Sequence, residues 1–176
     1  PVGGIVELYS SGKIKKVTLS NEYFYKITSG ILKGIEITES VEFFENGNIS
    51  TTVLSKPQVI KSNFGKINAH KLISFWENGT IKNVEFPEAQ TIDTSIGYLQ
   101  LVGVSTYESG KIEKCLLDDG RKPNAAIYSI SAMSQEVSTK WGKFNISSSS
   151  PICFYEDGSP QEFNLGKNYN LSDAPK

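Results

Sequence analysis

Apolar and polar residues alternate along much of this chain, and a short motif interrupts the alternation at five places. Stretches such as Ile92-Asp93-Thr94-Ser95-Ile96 follow the two-residue period of a β-strand that buries one face. The motif is an aromatic residue, two mostly polar residues, a glycine, one further residue, and then Ile or Pro. Its copies are 9–14, 44–49, 76–81, 107–112 and 155–160. The pattern predicts strands joined by tight turns, with a turn at each motif.

The glycine of each motif follows Asn, Asp or Ser, and these pairs suit a two-residue type I′ turn, whose central residues both take positive φ. Such a turn places the aromatic residue opposite the final residue of the motif, as with Trp76 and Ile81. It also aligns apolar pairs farther from the turn: Val6/Val17, Val41/Thr52, Ile73/Val84, Val104/Cys115 and Ile152/Phe163. The pairs beside the turn and the pairs farther from it fall on opposite faces of the hairpin. We therefore expect other parts of the protein to pack against both faces.

A second, weaker glycine signal follows the motifs. Gly30, Gly65, Gly97 and Gly142 each begin a Gly-x-apolar-polar step. The first three lie 18 residues after a motif glycine, and the fourth lies 32 residues after one. This difference locates an insertion of about 14 residues, at 119–134, in the fourth unit. Beyond it the register resumes, because Gln135-Glu136-Val137 matches Gln58-Val59-Ile60 and Gln90-Thr91-Ile92.

Two turns in every 31–35 residues predict an all-β protein made of about four and a half repeat units in a single domain, 1–176. A lone hairpin is marginal in water, so neighbouring units have to stack. We expect the tandem β-hairpins to form an elongated, twisted antiparallel sheet or a β-solenoid. A closed barrel or a sandwich is the alternative.

The sequence Phe44-Glu45-Asn46-Gly47-Asn48-Ile49, and the related Trp76-Glu77-Asn78-Gly79-Thr80-Ile81, resemble the turn of MORN-type repeats and of the YwqK-like antitoxin repeat proteins. The resemblance covers the five motifs only. In those families a Tyr-x-x-Gly hairpin recurs along an elongated antiparallel sheet. The resemblance implies scaffolding, membrane apposition or an antitoxin activity, and it brings no site residues to this chain.

Composition narrows the class of function. A net charge of −1 disfavours a nucleic-acid binder, which needs a basic surface. No apolar run approaches the roughly 20 residues of a membrane span. Strands rich in Ser, Asn and Thr and a start at Pro1 without Met favour a bacterial extracytoplasmic location, secreted or on the surface. The compartment itself and the oligomeric state stay open.

Candidate chemistry is sparse. His70 is the single histidine, and we expect a strand-surface residue rather than a metal ligand or a base. Cys115 and Cys153 are too few for a disulfide scaffold, so we expect two free, half-buried thiols on opposite faces. A glutamate recurs beside four of the turns, and we expect it to serve the turn: Glu45, Glu77, Glu108 and Glu156. The sequence therefore predicts no catalytic residue, no metal and no cofactor.

The insertion at 119–134 is the feature that breaks the repeat, and insertions on repeat scaffolds often lie on a binding face. Arg121, Lys122 and Tyr128 are the candidate binding residues, with a tolerated loop as the alternative. The sequence predicts a non-enzymatic binding or surface-display module that recognises a protein or a cell-envelope component. The alternatives are a structural spacer or assembly subunit that polymerises through exposed end strands, and a glycan hydrolase with unidentified carboxylates.

Overall fold

The predicted all-β fold with an antiparallel sheet is confirmed. A computed structural model describes residues 4–19, 25–26, 34–37, 39–118, 134–139, 142–148 and 150–166, and none of these residues lies in a helix. By compactness the chain divides into two units. The first comprises Pro1–Pro87 and Ser105–Lys111, and the second comprises Glu88–Val104 and Ile112–Lys176.

The strands of the described residues follow one another through short turns. They are β1 (Gly4–Leu8), β2 (Ile14–Leu19), β3 (Tyr25–Lys26), β4 (Glu36–Ile37), β5 (Ser40–Phe43), β6 (Ile49–Ser62), β7 (Gly65–Phe75), β8 (Ile81–Thr94), β9 (Gly97–Thr106), β10 (Ile112–Leu117), β11 (Ser134–Thr139), β12 (Gly142–Ser147), β13 (Ile152–Phe154) and β14 (Pro160–Glu162). One sheet has the order β1-β2-β5-β6-β7-β8-β9-β10-β13-β14. β3 pairs with β4 and β11 pairs with β12 in two further sheets.

Each motif forms a three-residue turn, so the predicted two-residue type I′ turn is wrong. In the third motif the Gly79 N–H donates to the Trp76 carbonyl oxygen at 2.9 Å, and the Trp76 N–H donates to the Thr80 carbonyl oxygen at 2.8 Å. Gly79 has a φ of 87°, whereas Asn78 has no positive φ. This geometry is a type I turn closed by a left-handed glycine, which forms a G1 bulge. The glycine bond recurs from Gly12 to Tyr9, Gly47 to Phe44, Gly110 to Tyr107 and Gly158 to Tyr155.

The residue before the glycine has a different role from the predicted one. The Asn78 Oδ1 accepts a hydrogen bond from the Thr80 N–H at 2.9 Å. The same bond joins Asn46 to the Asn48 N–H and Asp157 to the Ser159 N–H. Asn and Asp therefore suit this position because their short side chains hold the backbone two residues on, rather than because they tolerate positive φ.

The bulge shifts the pairing beside the turn by one residue. Ile81 pairs with Phe75 rather than with Trp76, so the predicted aromatic–Ile pair is wrong. The same shift gives Leu8/Ile14, Phe43/Ile49 and Phe154/Pro160. Farther from the turn the predicted register is confirmed for Val6/Val17, Val41/Thr52 and Ile73/Val84.

A second register shift, between Ser74 and Phe75, determines which face of the hairpin is apolar, because it leaves Lys82 without a directly opposite residue. Phe75 and Ile81 now share a face with Ile73 and Val84, and all four side chains are buried. The opposite face presents polar residues such as Asn83, which is exposed. The expectation that both faces need cover is therefore wrong for this hairpin, because the apolar residues on both sides of the bulge lie on one face.

The core of the first unit is a row of directly opposite residues that crosses six strands. We call it the apolar row, and it consists of Val6, Val17, Val41, Thr52, Ile73 and Val84. Three of its inner members, Val41, Thr52 and Ile73, are at most 1% exposed. The buried hydroxyl of Thr52 donates to the Ser40 carbonyl oxygen at 3.2 Å, so the row contains no unpaired polar group at that position.

The second glycine signal marks the other end of the long strands. Gly65 begins β7, and the Ser62 hydroxyl donates to the Gly65 carbonyl oxygen at 2.7 Å. Between Leu54 and Gln58 the register of β6 against β7 shifts, which bends a strand locally. Just past this irregularity the side chain of Gln58 bonds to the backbone of Glu36. Its Oε1 accepts a hydrogen bond from the Glu36 N–H at 3.0 Å, and its Nε2 donates one to the Glu36 carbonyl oxygen at 2.6 Å.

The second unit repeats this arrangement with a different glutamine. The Gln135 amide accepts from the Gln100 N–H at 2.9 Å and donates to the Gln100 carbonyl oxygen at 2.8 Å. We call this pair of bonds the glutamine clamp, because one side chain occupies the backbone groups that a neighbouring strand would use. The core of the second unit includes Leu99, Leu101, Cys115, Val137, Ile146, Ile152 and Phe154.

Removing the clamp in the first unit should lower stability. We expect Gln58→Ala to reduce the free energy of unfolding by about 1–3 kcal/mol, because the Glu36 N–H and carbonyl lose their partners in a half-buried setting. Chemical denaturation followed by tryptophan fluorescence measures the change. Gln161→Ala, at an exposed position on β14, is the matched control and should change stability by less than about 0.5 kcal/mol. Equal effects of the two substitutions would contradict the role of the clamp.

Candidate functional site

The candidate binding residues Arg121, Lys122 and Tyr128 lie outside the described residues, so the structure does not place them. The described strands nearest to the predicted insertion are β10, which ends at Leu117, and β11, which begins at Ser134. A binding role for these three residues stays a prediction.

Successive motif turns of the first unit are joined by bonds from side chains to backbone carbonyl oxygens. The Lys13 Nζ donates to Glu45, the Asn48 Nδ2 to Glu77 and the Asn78 Nδ2 to Glu108, each at 2.8 Å. The recurring glutamate accepts these bonds with its main chain, while its side chain is exposed. These bonds use only the main chain of Glu45, Glu77 and Glu108, so a role of the glutamate side chains in the turns stays a prediction.

The polar atoms of the motif aromatics are also used within the fold. The Tyr9 hydroxyl donates to the Phe43 carbonyl oxygen at 2.7 Å, and the Trp76 Nε1 donates to the Thr106 carbonyl oxygen at 2.9 Å. The Lys82 ammonium lies 4.4 Å from the centre of the Trp76 ring, a cation–π distance. These polar groups of Tyr9 and Trp76 therefore hold neighbouring strands of the first unit together.

The titratable groups of the described chain do not assemble a metal centre. His70 is half-buried on β7 opposite Glu85. Among the described residues no group of three or more His, Cys, Asp or Glu side chains could hold a metal ion. His70 is therefore a strand residue with one acidic neighbour across the ladder.

The two cysteines are free, as predicted, and they differ in exposure. Cys115 pairs with Ile152 and is fully buried, whereas Cys153 pairs with Lys114 and is half-buried. The prediction of two half-buried thiols is thus wrong for Cys115. Burial raises the pKa of the Cys115 thiol from 9.0 to about 12, with a smaller contribution from Cys153. A thiol that stays protonated at neutral pH is a poor nucleophile.

An apolar surface lies at the β1 end of the sheet order. It consists of Val6, Leu8 and Ile14, which are 56%, 56% and 48% exposed, and we call it the N-terminal edge surface. Ile5, which is 64% exposed, lies on the opposite face of β1. Val6 is the last member of the apolar row, whose exposure rises from 1% at Val41 to this value. The row therefore ends at the sheet edge without the cover that its inner members have.

The backbone groups of β1 can be assigned to its two sides. Both backbone groups of Tyr9 point toward β2, because its N–H donates to the Lys13 carbonyl oxygen and its carbonyl oxygen accepts from the Gly12 N–H. Alternate residues of an antiparallel strand point these groups to the same side. Ile5 and Glu7 therefore face β2, and Gly4, Val6 and Leu8 face the side of β1 on which no other described strand pairs.

The far side of β2 gives the same assignment. The Leu19 N–H donates to the Glu39 carbonyl oxygen, so the backbone groups of Leu19 point away from β1. Leu19 is directly opposite Gly4, which accordingly directs its own groups outward. The N-terminal edge surface thus combines exposed apolar side chains with a strand whose alternate backbone groups face outward.

Thiol chemistry tests the cysteine assignments. At pH 8 we expect a thiol reagent to modify Cys153 in the folded protein, and Cys115 only after unfolding. The folded pKa of Cys115 is raised, so its contribution to stability is complete below pH 9.0 and is lost as the pH rises toward 12. Cys115→Ala should therefore flatten the fall of the unfolding free energy above pH 9.0 relative to the parent chain. Modification of Cys115 at the same rate as Cys153 would contradict its burial.

Comparison with known proteins does not assign the chain to a family. No protein-family model, curated protein or solved structure matches the chain. Within the described residues there is no helix long and apolar enough to cross a membrane. The resemblance to MORN-type and YwqK-like repeats stays a prediction, and the established description is an all-β chain with an antiparallel sheet.

Proposed function

We propose that the chain is a non-enzymatic binding module that recognises a protein or a cell-envelope component through its N-terminal edge surface. The observation that carries the proposal is the end of the apolar row at Val6, where an exposed apolar face meets outward backbone groups. Contiguous exposed apolar side chains mark interaction sites. An open strand edge accepts an added strand, with main-chain bonds for affinity and alternate side chains for specificity.

The row of motif turns supports this proposal because it fixes the edge in advance. Tyr9 follows β1 and bonds to Phe43, while Lys13 bonds to Glu45 in the next motif. The hairpin that carries the edge surface is thus tied to its neighbour on both sides of the turn. A strand held in its binding geometry loses little conformational entropy when a partner adds to it.

A structural spacer or assembly subunit is the second candidate. It is favoured by the same open edge, because an unpaired strand is also a template for joining copies of one chain. In either case Arg121, Lys122 and Tyr128 are proposed as a further contact surface on the insertion.

We also propose that the hairpins repeat along an elongated, twisted antiparallel sheet or a β-solenoid. The recurrence of one turn geometry at five motifs, and of the glutamine clamp in both units, supports this arrangement. Small-angle scattering provides the test. We expect a radius of gyration clearly above the roughly 16 Å of a globular chain of this length. A value at that figure would contradict the elongated arrangement and favour a barrel or a sandwich.

A pull-down tests the binding function. The tagged chain is compared with Val6→Lys, with a version lacking 119–134, and with Val59→Lys as the control for adding the same charge to an exposed valine on β6. We expect a stoichiometric partner from envelope or lysate fractions, at least about tenfold reduced by Val6→Lys because the lysine places a charge in an apolar contact. Val59→Lys should retain it. Loss of the partner only when 119–134 is deleted would place the binding site on the insertion instead of the N-terminal edge surface.

A further inference from the structure

The two ends of the sheet order differ in their capacity to add a strand. β1 presents Val6 and Leu8 with their backbone groups outward. β14 is three residues long and begins with Pro160, which has no N–H, and its other members are an exposed glutamine and an exposed glutamate. Proline and charge on an edge strand prevent pairing. A second copy therefore finds a suitable strand at β1 and a poor one at β14.

We infer that β1 pairs with β1 of a second copy, antiparallel, with Val6 opposite Val6 of that copy. This inference rests on the proposed function of the N-terminal edge surface, and it names the partner. The pairing is symmetric, so each residue contacts its counterpart under a two-fold axis, which is the commonest symmetry of homodimers.

The outward backbone groups match in this register. Val6 faces Val6, and Gly4 faces Leu8, so the outward residues of one copy lie opposite the outward residues of the other. These are the positions that exchange both N–H···O bonds in an antiparallel pair. A shift of one residue would place outward groups opposite inward ones and abolish the ladder.

The side chains match as well. The apolar row continues from Val17 and Val6 of one copy into Val6 and Val17 of the other, and Leu8 and Ile14 of each copy flank it on the same face. On the other face Glu7 lies opposite Ile5 of the second copy, so no like charges meet.

The neighbouring registers with the correct backbone parity are worse. Each of them pairs three residues of β1 with three of the second copy, whereas the register centred on Val6 pairs all five residues of Gly4–Leu8. The register centred on Glu7 also places the two carboxylates directly opposite each other, and such like-charge pairs are destabilising. The structure therefore specifies one register.

Disulfide trapping tests the register. In a Cys153→Ser background, Val6→Cys should form an intermolecular disulfide under mild oxidation, because facing Cα atoms about 5.5 Å apart are within disulfide range. Ile5 is more exposed than Val6, at 64% against 56%, but Ile5→Cys is displaced by two residues, roughly 7 Å along the strand, from Ile5 of the second copy. We expect Ile5→Cys to cross-link at least about tenfold more slowly. Cross-linking of both variants at one rate would overturn the inference.

Sedimentation tests the pairing itself. The parent chain should show a concentration-dependent dimer, which Val6→Lys weakens at least about tenfold and Val59→Lys leaves unchanged. Circular dichroism verifies that each variant is folded, and the near-isosteric Val6→Cys keeps the test decisive if the lysine variant unfolds. A strict monomer at every accessible concentration would overturn the inference.

The failure of this inference is distinguishable from failure of the proposed function. A monomeric chain that still loses a pull-down partner on Val6→Lys has a protein-binding edge that takes a different strand. A chain that neither dimerises nor loses a partner on Val6→Lys would contradict both the β1–β1 pairing and the proposed binding function.

Discussion

The left-handed glycine of each motif turn is the constraint on which the sheet depends. Gly79, with a φ of 87°, closes a type I turn and inserts one extra residue into the returning strand. A second irregularity, between Ser74 and Phe75, leaves Lys82 without a directly opposite residue, so that Ile81 lies on the same buried face as Ile73 and Val84. Without these two irregularities the same sequence would divide its apolar residues between two faces, and a single layer could not bury both.

Side chains take over backbone functions throughout this fold. The glutamine clamp uses the amide of Gln58 or Gln135 in place of a strand, and the motif turns bond to one another through Lys13, Asn48 and Asn78. Such bonds place polar residues at fixed positions in every unit for structural reasons. Recurrence of a polar residue in a chain of this kind therefore points first to the architecture, and a site has to be sought where the recurrence ends.

The sequence was sufficient for the fold class and for pairs such as Ile73/Val84, because alternation and turn position together determine register away from the turn. It could not distinguish the type I turn from the type I′ turn, since Asn-Gly suits both and the difference lies in the φ of Asn78. The alignment of Gln58 with Gln135 was visible, but their backbone partners Glu36 and Gln100 are not predictable from local pattern. The exposed edge was missed for a related reason: Val6 matches the buried members of its row in type, and only strand order makes it terminal.

Pro160 at the start of β14 has a consequence for solubility. A sheet that could grow at both ends would add copies without limit, as fibrils do, whereas this one is blunted at one end. In the inferred pairing, association through β1 occupies the open end of this sheet in both copies, so growth of the sheet stops after one addition. The chain can therefore keep an apolar, hydrogen-bonding strand on its surface at high concentration without seeding aggregates.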